Sequence, residues 1–268
     1  MRIARFCARF RHPSSRARDF RPEPPVSATP SAADLLLRAR DPACRIAALP
    51  DAVRPVDAAA AYAIQREVMA ALGPIGGWKT GAAGPDAAPS GAPMPLSGIA
   101  ASPARMPATG FAIEAEVAFR LGRDLPPRPA PYGREEIVAA LATAHPAIEW
   151  LESRFVDPDV VDPLSLLADF ATHGGFVWGP GVADWHGIVF ATETVTQSVD
   201  GAAITRTGNP GGDMIRMVQW LANAGAVWAG GLFAGQFVTC GSWTGKAAAR
   251  AGQSVVVRFP SLGEVALG

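Results

Sequence analysis

Glu114 and Glu116 have the spacing to reach one cation together, and Glu149 stands where a carboxylate needs a positive partner. In Phe111-Ala-Ile-Glu-Ala-Glu-Val-Ala-Phe-Arg-Leu121 the apolar residues alternate strictly, so Phe111, Ile113, Ala115, Val117, Phe119 and Leu121 share one face of a strand. Both glutamates then share the other face, with Cα atoms roughly 6.5 to 7 Å apart, close enough for their side chains to converge on a hard divalent ion. Without an ion they would repel. A solvated amphipathic strand gives the same pattern with no function. Their neighbours on that face, Ala112 and Ala118, are small and uncharged, where a solvated strand more often carries Lys or Thr. Glu149 lies in a segment that is otherwise apolar from Pro146 to Leu151. Burying an unpaired carboxylate is costly, so either Glu149 meets a cation or the segment is an exposed edge. Nearby, Glu152 and Arg154 read as an ion pair at the surface or just behind the site.

Four further positions carry groups that could act on a bound anion. Lys79 and Lys246 are the only lysines in a chain that otherwise uses arginine, and Lys79 sits in a turn-like run with Gly76, Gly77, Trp78 and Gly81. It reads either as a solvated turn lysine or as the cation that a carboxylate-rich site needs. His173, four residues after Asp169, reads as a proton shuttle or as a hydrogen-bonded structural histidine. Ser242 and Thr244 occupy a glycine-rich turn after a strand, where they can donate to a substrate carboxylate or simply form the turn.

The elements that must position these groups are of mixed type. Residues 1–30 are rich in Arg and Pro and read as a tail, without the continuous apolar stretch of a secretory signal. Ser31-Ala-Ala-Asp34 has capping-box spacing before a short helix. Asp57 caps a second helix that runs to Gly73, so residues 31–75 form a helical N-terminal cap. From Gly73 to Pro107 the composition favours loops and short extended pieces. A helix is expected over Arg134–Ala144, stopped by Pro146, then a strand over Ala147–Leu151, and another helix over Asp213–Asn223. Gln236–Cys240, Ser254–Phe259 and Glu264–Leu267 read as short strands. This irregular order predicts an α+β roll or barrel, with residues 76–268 as the catalytic unit.

Composition narrows the function further. The 268 residues are 49% hydrophobic, enough for a sizeable core. The 24 basic and 24 acidic residues cancel, leaving no field to draw in a nucleic acid or an anionic membrane surface. Cys7, Cys44 and Cys240 offer no disulfide framework or zinc spacing, which fits a reducing cytoplasm. No apolar run reaches bilayer-spanning length.

Five segments, in order, then carry a resemblance. They are Gly77-Trp-Lys-Thr-Gly81; Glu114-Ala-Glu116-Val-Ala-Phe-Arg-Leu-Gly-Arg-Asp-Leu125; Pro146-Ala-Ile-Glu149 with Ser153-Arg154; Ala168-Asp169; and Gly235-Gln-Phe-Val-Thr-Cys-Gly-Ser-Trp-Thr-Gly245. Together they resemble the 2-keto-4-pentenoate hydratase branch of the fumarylacetoacetate hydrolase superfamily, from about Ala61 to Gly268. The resemblance implies a mixed β-roll, a Mg²⁺ or Mn²⁺ held by Glu114, Glu116 and Glu149, a catalytic Lys79, a functional Asp169 and a homo-oligomer. It implies hydration of a 2-hydroxy-2,4-dienoate to a 4-hydroxy-2-oxo acid. The same motifs also suit a 4-oxalocrotonate-type decarboxylase or an acylpyruvate hydrolase, and a non-catalytic partner subunit is a third reading. Two departures stand out. His173 falls where serine or alanine is more usual, and Gly84-Pro-Asp86-Ala-Ala-Pro replaces a Pro-Asp-Phe-Gly-like element, which bears on the substrate's tail.

Overall fold

The computed structural model describes residues 30–268, so the tail expected at the N-terminus lies almost wholly outside the described residues. Its helices are α1 (Ala32–Arg38), α2 (Ala58–Leu72), α3 (Arg134–Ala140), α4 (Pro163–Ala168) and α5 (Met214–Trp220). Its strands are β1 (Ile75–Gly81), β2 (Ser90–Pro95), β3 (Ile99–Ala101), β4 (Ala112–Leu121), β5 (Leu141–Leu151) and β6 (His173–Trp178), followed by β7 (Thr194–Val199), β8 (Ala202–Thr207), β9 (Phe237–Thr239), β10 (Ala247–Ala248), β11 (Val255–Phe259) and β12 (Gly263–Leu267). Among the described residues no helix is long and apolar enough to cross a membrane.

Helices α1 and α2 form as their local chemistry dictates. Ser31 Oγ accepts from the Asp34 amide at 3.1 Å while Asp34 accepts from the Ser31 amide at 3.0 Å, a reciprocal capping box. Asp57 caps α2, and Gly73 leaves it at a φ of 101°. Leu36, Val68 and Met69 pack on Phe155, Val161 and Phe170, so a later stretch of chain around α4 shares one hydrophobic cluster with these two helices.

A large mixed sheet in the order β2-β1-β9-β4-β5-β6-β3 carries the rest, with β10 also pairing with β4. A second sheet, β12-β11-β7-β8, lies against it. Ile113, Val117, Phe119 and Ile148 project from β4 and β5 into a core shared with Val257, Phe259 and Val265 of that second sheet. Each buried aliphatic or aromatic side chain contributes about 1.5 to 3 kcal/mol. A one-residue slip of β4 would turn Ile113, Val117 and Phe119 out of this core, so the register that aims Glu114 and Glu116 the other way is firmly set.

Two expectations change. Arg134–Ala144 is helical only to Ala140; Leu141 onward is strand, because pairing with β4 from Leu121↔Leu141 to Ala112↔Leu151 overrides helix propensity, and Pro146 sits inside the strand opposite Val117. The run from Gly73 to Pro107 folds into the β1–β2 hairpin and β3, so Lys79 lies on a strand, not in a turn. Gly76 and Gly77 are there for close packing. A Cβ on Gly77 would come within 2.6 Å of the Phe237 carbonyl oxygen, and one on Gly76 within 2.8 Å of Leu96 Cα.

Candidate active site

Strand register gathers the predicted groups on one face of the large sheet. Glu114 is paired across the ladder with Glu149, and Ala118, two steps beyond Glu116, is paired with His145 on one side and Thr239 on the other. Thr239 is in turn level with Lys79 on β1. Residues in register share a face, so Lys79, Glu114, Glu116, Glu149 and Thr239 converge without any side chain reaching around the sheet. Farther along, the same face is closed by Met94, Phe176 and Phe237.

One carboxylate oxygen from each of Glu114, Glu116 and Glu149 lies within 4.8 Å of the others. Glu149 and Glu116 are 0% and 1% exposed, while Glu114 is half-buried toward the cavity mouth. Burial, reinforced by the charges of Glu149 and Glu114, pushes the Glu116 carboxyl well above the usual range. Burial and the Glu149 charge raise Glu114 as well, against the pull of Lys79. Glu149 goes the other way: burial opposes its charge, but Lys79 and His173 together hold its carboxyl below the usual value. Three clustered carboxylates, two of them buried, beside Lys79 are short of positive charge, and all their donor atoms are hard oxygens, which suits a divalent cation such as Mg²⁺ or Mn²⁺.

The partners of Glu149 sharpen that fit. Lys79 Nζ donates to Glu149 Oε1 at 2.7 Å and to the Ala171 carbonyl at 3.1 Å. His173 Nδ1 lies 2.7 Å from the same Oε1. Glu149 Oε2, fully buried, has no partner. A carboxylate accepts only, so His173 must donate through Nδ1–H, which leaves its own buried Nε2 unpartnered. Burial lowers the His173 pKa, against the pull of Glu149. Thr239 Oγ1 hydrogen-bonds Glu116 Oε2 and orients the second carboxylate.

Asp169 does not face this cluster. Arg154 and Asp169, each 2% exposed at the side chain, form a buried ion pair, and Ser153 Oγ adds a bond to Asp169 Oδ2 at 3.1 Å. Arg154 therefore pairs with Asp169 and not with Glu152, which instead faces Arg45 at 3.4 Å. The same guanidinium donates to the Asp169 carbonyl at 2.7 Å and to the His173 carbonyl at 2.9 Å. Those two bonds bracket Phe170, Ala171 and Thr172, whose φ values of 55°, 48° and 62° are all left-handed. Left-handed backbone costs a non-glycine residue roughly 1 to 2 kcal/mol, so the segment needs such a brace. Its return is the Ala171 carbonyl pointed at Lys79.

A cavity of about 340 Å³ opens onto the cluster, walled by Lys79, Glu114, Glu116, Asn209, Ser242 and Lys246 among others. Ser242 Oγ is buried with no partner and lines it. Thr244, the other hydroxyl expected at the substrate, is committed elsewhere: it donates to Gln197 Oε1 at 2.7 Å and accepts from the Ala115 amide at 3.3 Å, standing in for a missing rung beside β4. Asp86 is exposed and does not line the cavity. A larger cavity, about 740 Å³, shares the Asn209-Pro210 wall and is lined by Phe119, Trp185 and Phe190, without a carboxylate cluster. Sequence reasoning passed over Thr239, the Ala171 carbonyl and Asn209. Lys246 carried the same signal as Lys79, a rare lysine beside glycine.

No protein-family model and no curated protein sequence matches the chain. Solved structures do. The 4-oxalocrotonate decarboxylase from Pseudomonas putida G7, complexed with magnesium and adipate, is 23% identical at a TM-score of 0.66, over 79% of this chain and 85% of that one. The same enzyme with calcium and acetate gives a TM-score of 0.64 at 23% identity over the same shares. The 2-hydroxyhepta-2,4-diene-1,7-dioate isomerase from Mycobacterium marinum matches at 0.50, with 18% identity over 72% of this chain and 75% of that one. These neighbours belong to the fumarylacetoacetate hydrolase superfamily, and this chain carries their mixed α+β fold, with three glutamates gathered on one face of its large sheet.

Proposed function

We propose that the chain holds one Mg²⁺ or Mn²⁺ through Glu114, Glu116 and Glu149 and acts on a small 2-oxo acid, adding water to a 2-hydroxy-2,4-dienoate to give a 4-hydroxy-2-oxo acid. The observation that carries this reading is the division of labour on Glu149, where Oε1 is taken by Lys79 and His173 while buried Oε2 has no partner, in a carboxylate with one oxygen within 4.8 Å of oxygens on Glu114 and Glu116. A divalent cation there would supply the positive charge that a keto oxygen needs as it gains enolate character. Lys79, half-buried on the cavity wall, offsets part of the glutamates' negative charge, attracts the substrate carboxylate and sits where a proton must move on and off the carbon chain. Ser242 Oγ, with no partner of its own, donates to that carboxylate. His173 and Thr239 fix the orientation of Glu149 and Glu116, and the Arg154–Asp169 pair holds the Ala171 carbonyl against Lys79. Asp169 and His173 are thus positioning residues. The reading includes a homo-oligomer in the cytoplasm.

Decarboxylation is the second reading, favoured by the likeness to 4-oxalocrotonate decarboxylase. It passes through the same enolate, formed as CO₂ leaves. One experiment separates them. Metal-stripped protein is titrated with Mg²⁺ by calorimetry, then one sample is followed for loss of dienoate absorbance and for CO₂ release. Absorbance loss without CO₂ supports hydration, and stoichiometric CO₂ supports decarboxylation. Absence of Mg²⁺ binding rejects the whole reading.

A further inference from the structure

The larger cavity, about 740 Å³ against about 340 Å³ at the glutamates, shares only Asn209 and Pro210 with its neighbour's wall. No glutamate and no lysine lines it, so it is a separate compartment of a size that suits a small molecule. Phe119, Trp185, Ile188, Phe190, Met214 and Ile215 give it an apolar interior rich in rings. The Phe119 centroid lies 4.9 Å from that of Trp185 and 5.9 Å from that of Phe190, with the planes inclined at 58° and 86°. A further flat ring can join such a set edge to face. The walls are held in place by the protein's own bonds. In the segment carrying Trp185, Ile188 and Phe190, the Ile188 amide donates to the Trp185 carbonyl at 3.0 Å and the Glu193 amide to the Val189 carbonyl at 3.0 Å. That segment is pinned at its end, where the Gly208 amide meets the Glu193 carbonyl at 2.9 Å and the Glu193 carboxylate accepts from the Ser261 amide and hydroxyl at 2.9 and 2.8 Å.

The polar part of this cavity is one ion pair. Arg134, the first residue of α3, bonds Asp213, the N-cap of α5, and both side chains are partly open to solvent. The pair borders the apolar interior directly, because Val138 lies one helical turn beyond Arg134 and Met214 and Ile215 follow Asp213, and all three line the cavity. Arg134 and Asp213 are the sole Arg, Lys, Asp or Glu among the lining residues, so their charges cancel and the cavity has no net charge to attract an ion. They still offer hydrogen bonds. The guanidinium has N–H groups beyond the one given to Asp213, and the carboxylate, which takes the Arg134 bond and the Ile215 amide at 3.0 Å, has lone pairs to spare. A neutral group that both donates and accepts matches that rim.

We infer that this second cavity binds an uncharged aromatic hydroxy compound, with its ring among Phe119, Trp185 and Phe190 and its hydroxyl at the Arg134–Asp213 pair. The inference stands apart from the 2-oxo acid reading, and either can fail alone. The test uses the full-length protein and three probes built on one fused ring: 2-naphthol, naphthalene and 2-naphthoate. Each is brought to equilibrium by dialysis at pH 7 against wild type, Arg134→Met and Ala191→Trp. Wild type should bind 2-naphthol roughly three- to tenfold more tightly than either of the others. Arg134→Met should bring 2-naphthol down to the affinity of naphthalene and leave naphthalene unchanged. Ala191→Trp, which fills the cavity from its wall, should remove the binding of both. Arg134 and Ala191 are exposed, so both variants should keep the wild-type melting temperature, which excludes misfolding as the cause. No binding of 2-naphthol to wild type would overturn the inference, and so would a second copy of the chain found covering the cavity by sedimentation. Tightest binding of 2-naphthoate would overturn the preference for an uncharged ligand, and indifference to Arg134→Met would overturn the role of the ion pair. Binding unaltered in Ala191→Trp would place the ring elsewhere and overturn the site.

Discussion

Glu116→Gln should make the metal-free protein more stable and at the same time abolish its response to divalent cations. Glu116 is buried, with its oxygen within 4.8 Å of oxygens on Glu114 and Glu149. Two like charges at that separation cost about 3 to 4 kcal/mol at an effective dielectric near 20. Two such repulsions act on Glu116 and one attraction, from Lys79, opposes them. About one repulsion is therefore left over, and partial protonation of this raised carboxyl reduces what a substitution can recover. A gain of roughly 1 to 3 kcal/mol in the absence of metal is the result. Glutamine keeps the shape and still offers an oxygen to Thr239, so packing and that hydrogen bond survive. With metal present the order reverses. A cation at a hundred times its dissociation constant stabilises the wild type by about 2.7 kcal/mol, and the variant should gain almost none of it. Urea unfolding followed by tryptophan fluorescence, in EDTA and then in Mg²⁺, measures both effects on one sample, and turnover should fall by about 100-fold or more. A variant less stable than wild type in EDTA, or one that responds to Mg²⁺ as wild type does, would refute the reasoning.

Three further outcomes follow from the geometry. Lys79→Met should lower turnover by about 10² to 10⁴-fold while Mg²⁺ still binds, because Glu149 Oε2 is untouched; calorimetry and an activity assay check the split, and unaltered turnover would dismiss Lys79 from the chemistry. Asp169→Asn should cost about 3 to 5 kcal/mol in urea unfolding, since it strands the buried Arg154 guanidinium and loosens the brace on the left-handed segment; a cost below about 1 kcal/mol would show that the pair braces nothing. His145 donates through Nδ1 to the Gly179 carbonyl at 2.9 Å and accepts from Thr143 at 2.7 Å, and burial lowers its pKa from 6.5. The unfolded chain therefore takes up the proton first, so this contribution is whole above about pH 6.5 and is lost as pH falls below it. His145→Gln should flatten the fall in stability between roughly pH 6.5 and 5, and an unchanged slope would count against the assignment.

The strand Ala112–Leu121, its two-faced pattern and the shared direction of Glu114 and Glu116 are properties of local sequence, because period-two alternation against a core fixes orientation without knowledge of the partner strand. The caps at Ser31 and Asp57 are likewise local, made by side chains bonding amides three residues on. Other features depended on contacts between distant segments. Whether Glu149 faced a cation or the solvent turned on its pairing with Glu114 across the sheet, which composition cannot express. Asp169 and His173 are four residues apart, yet one meets Arg154 and the other Glu149, because the left-handed turn between them sends their side chains to different places. Lys79 and Lys246 stand 167 positions apart in the sequence and share a cavity only because β1, β9, β4 and β10 close ranks on one sheet. Local periodicity determines which face a side chain takes, while the long-range ladder alone decides which charges end up neighbours, and it is the neighbours that give a carboxylate its chemistry.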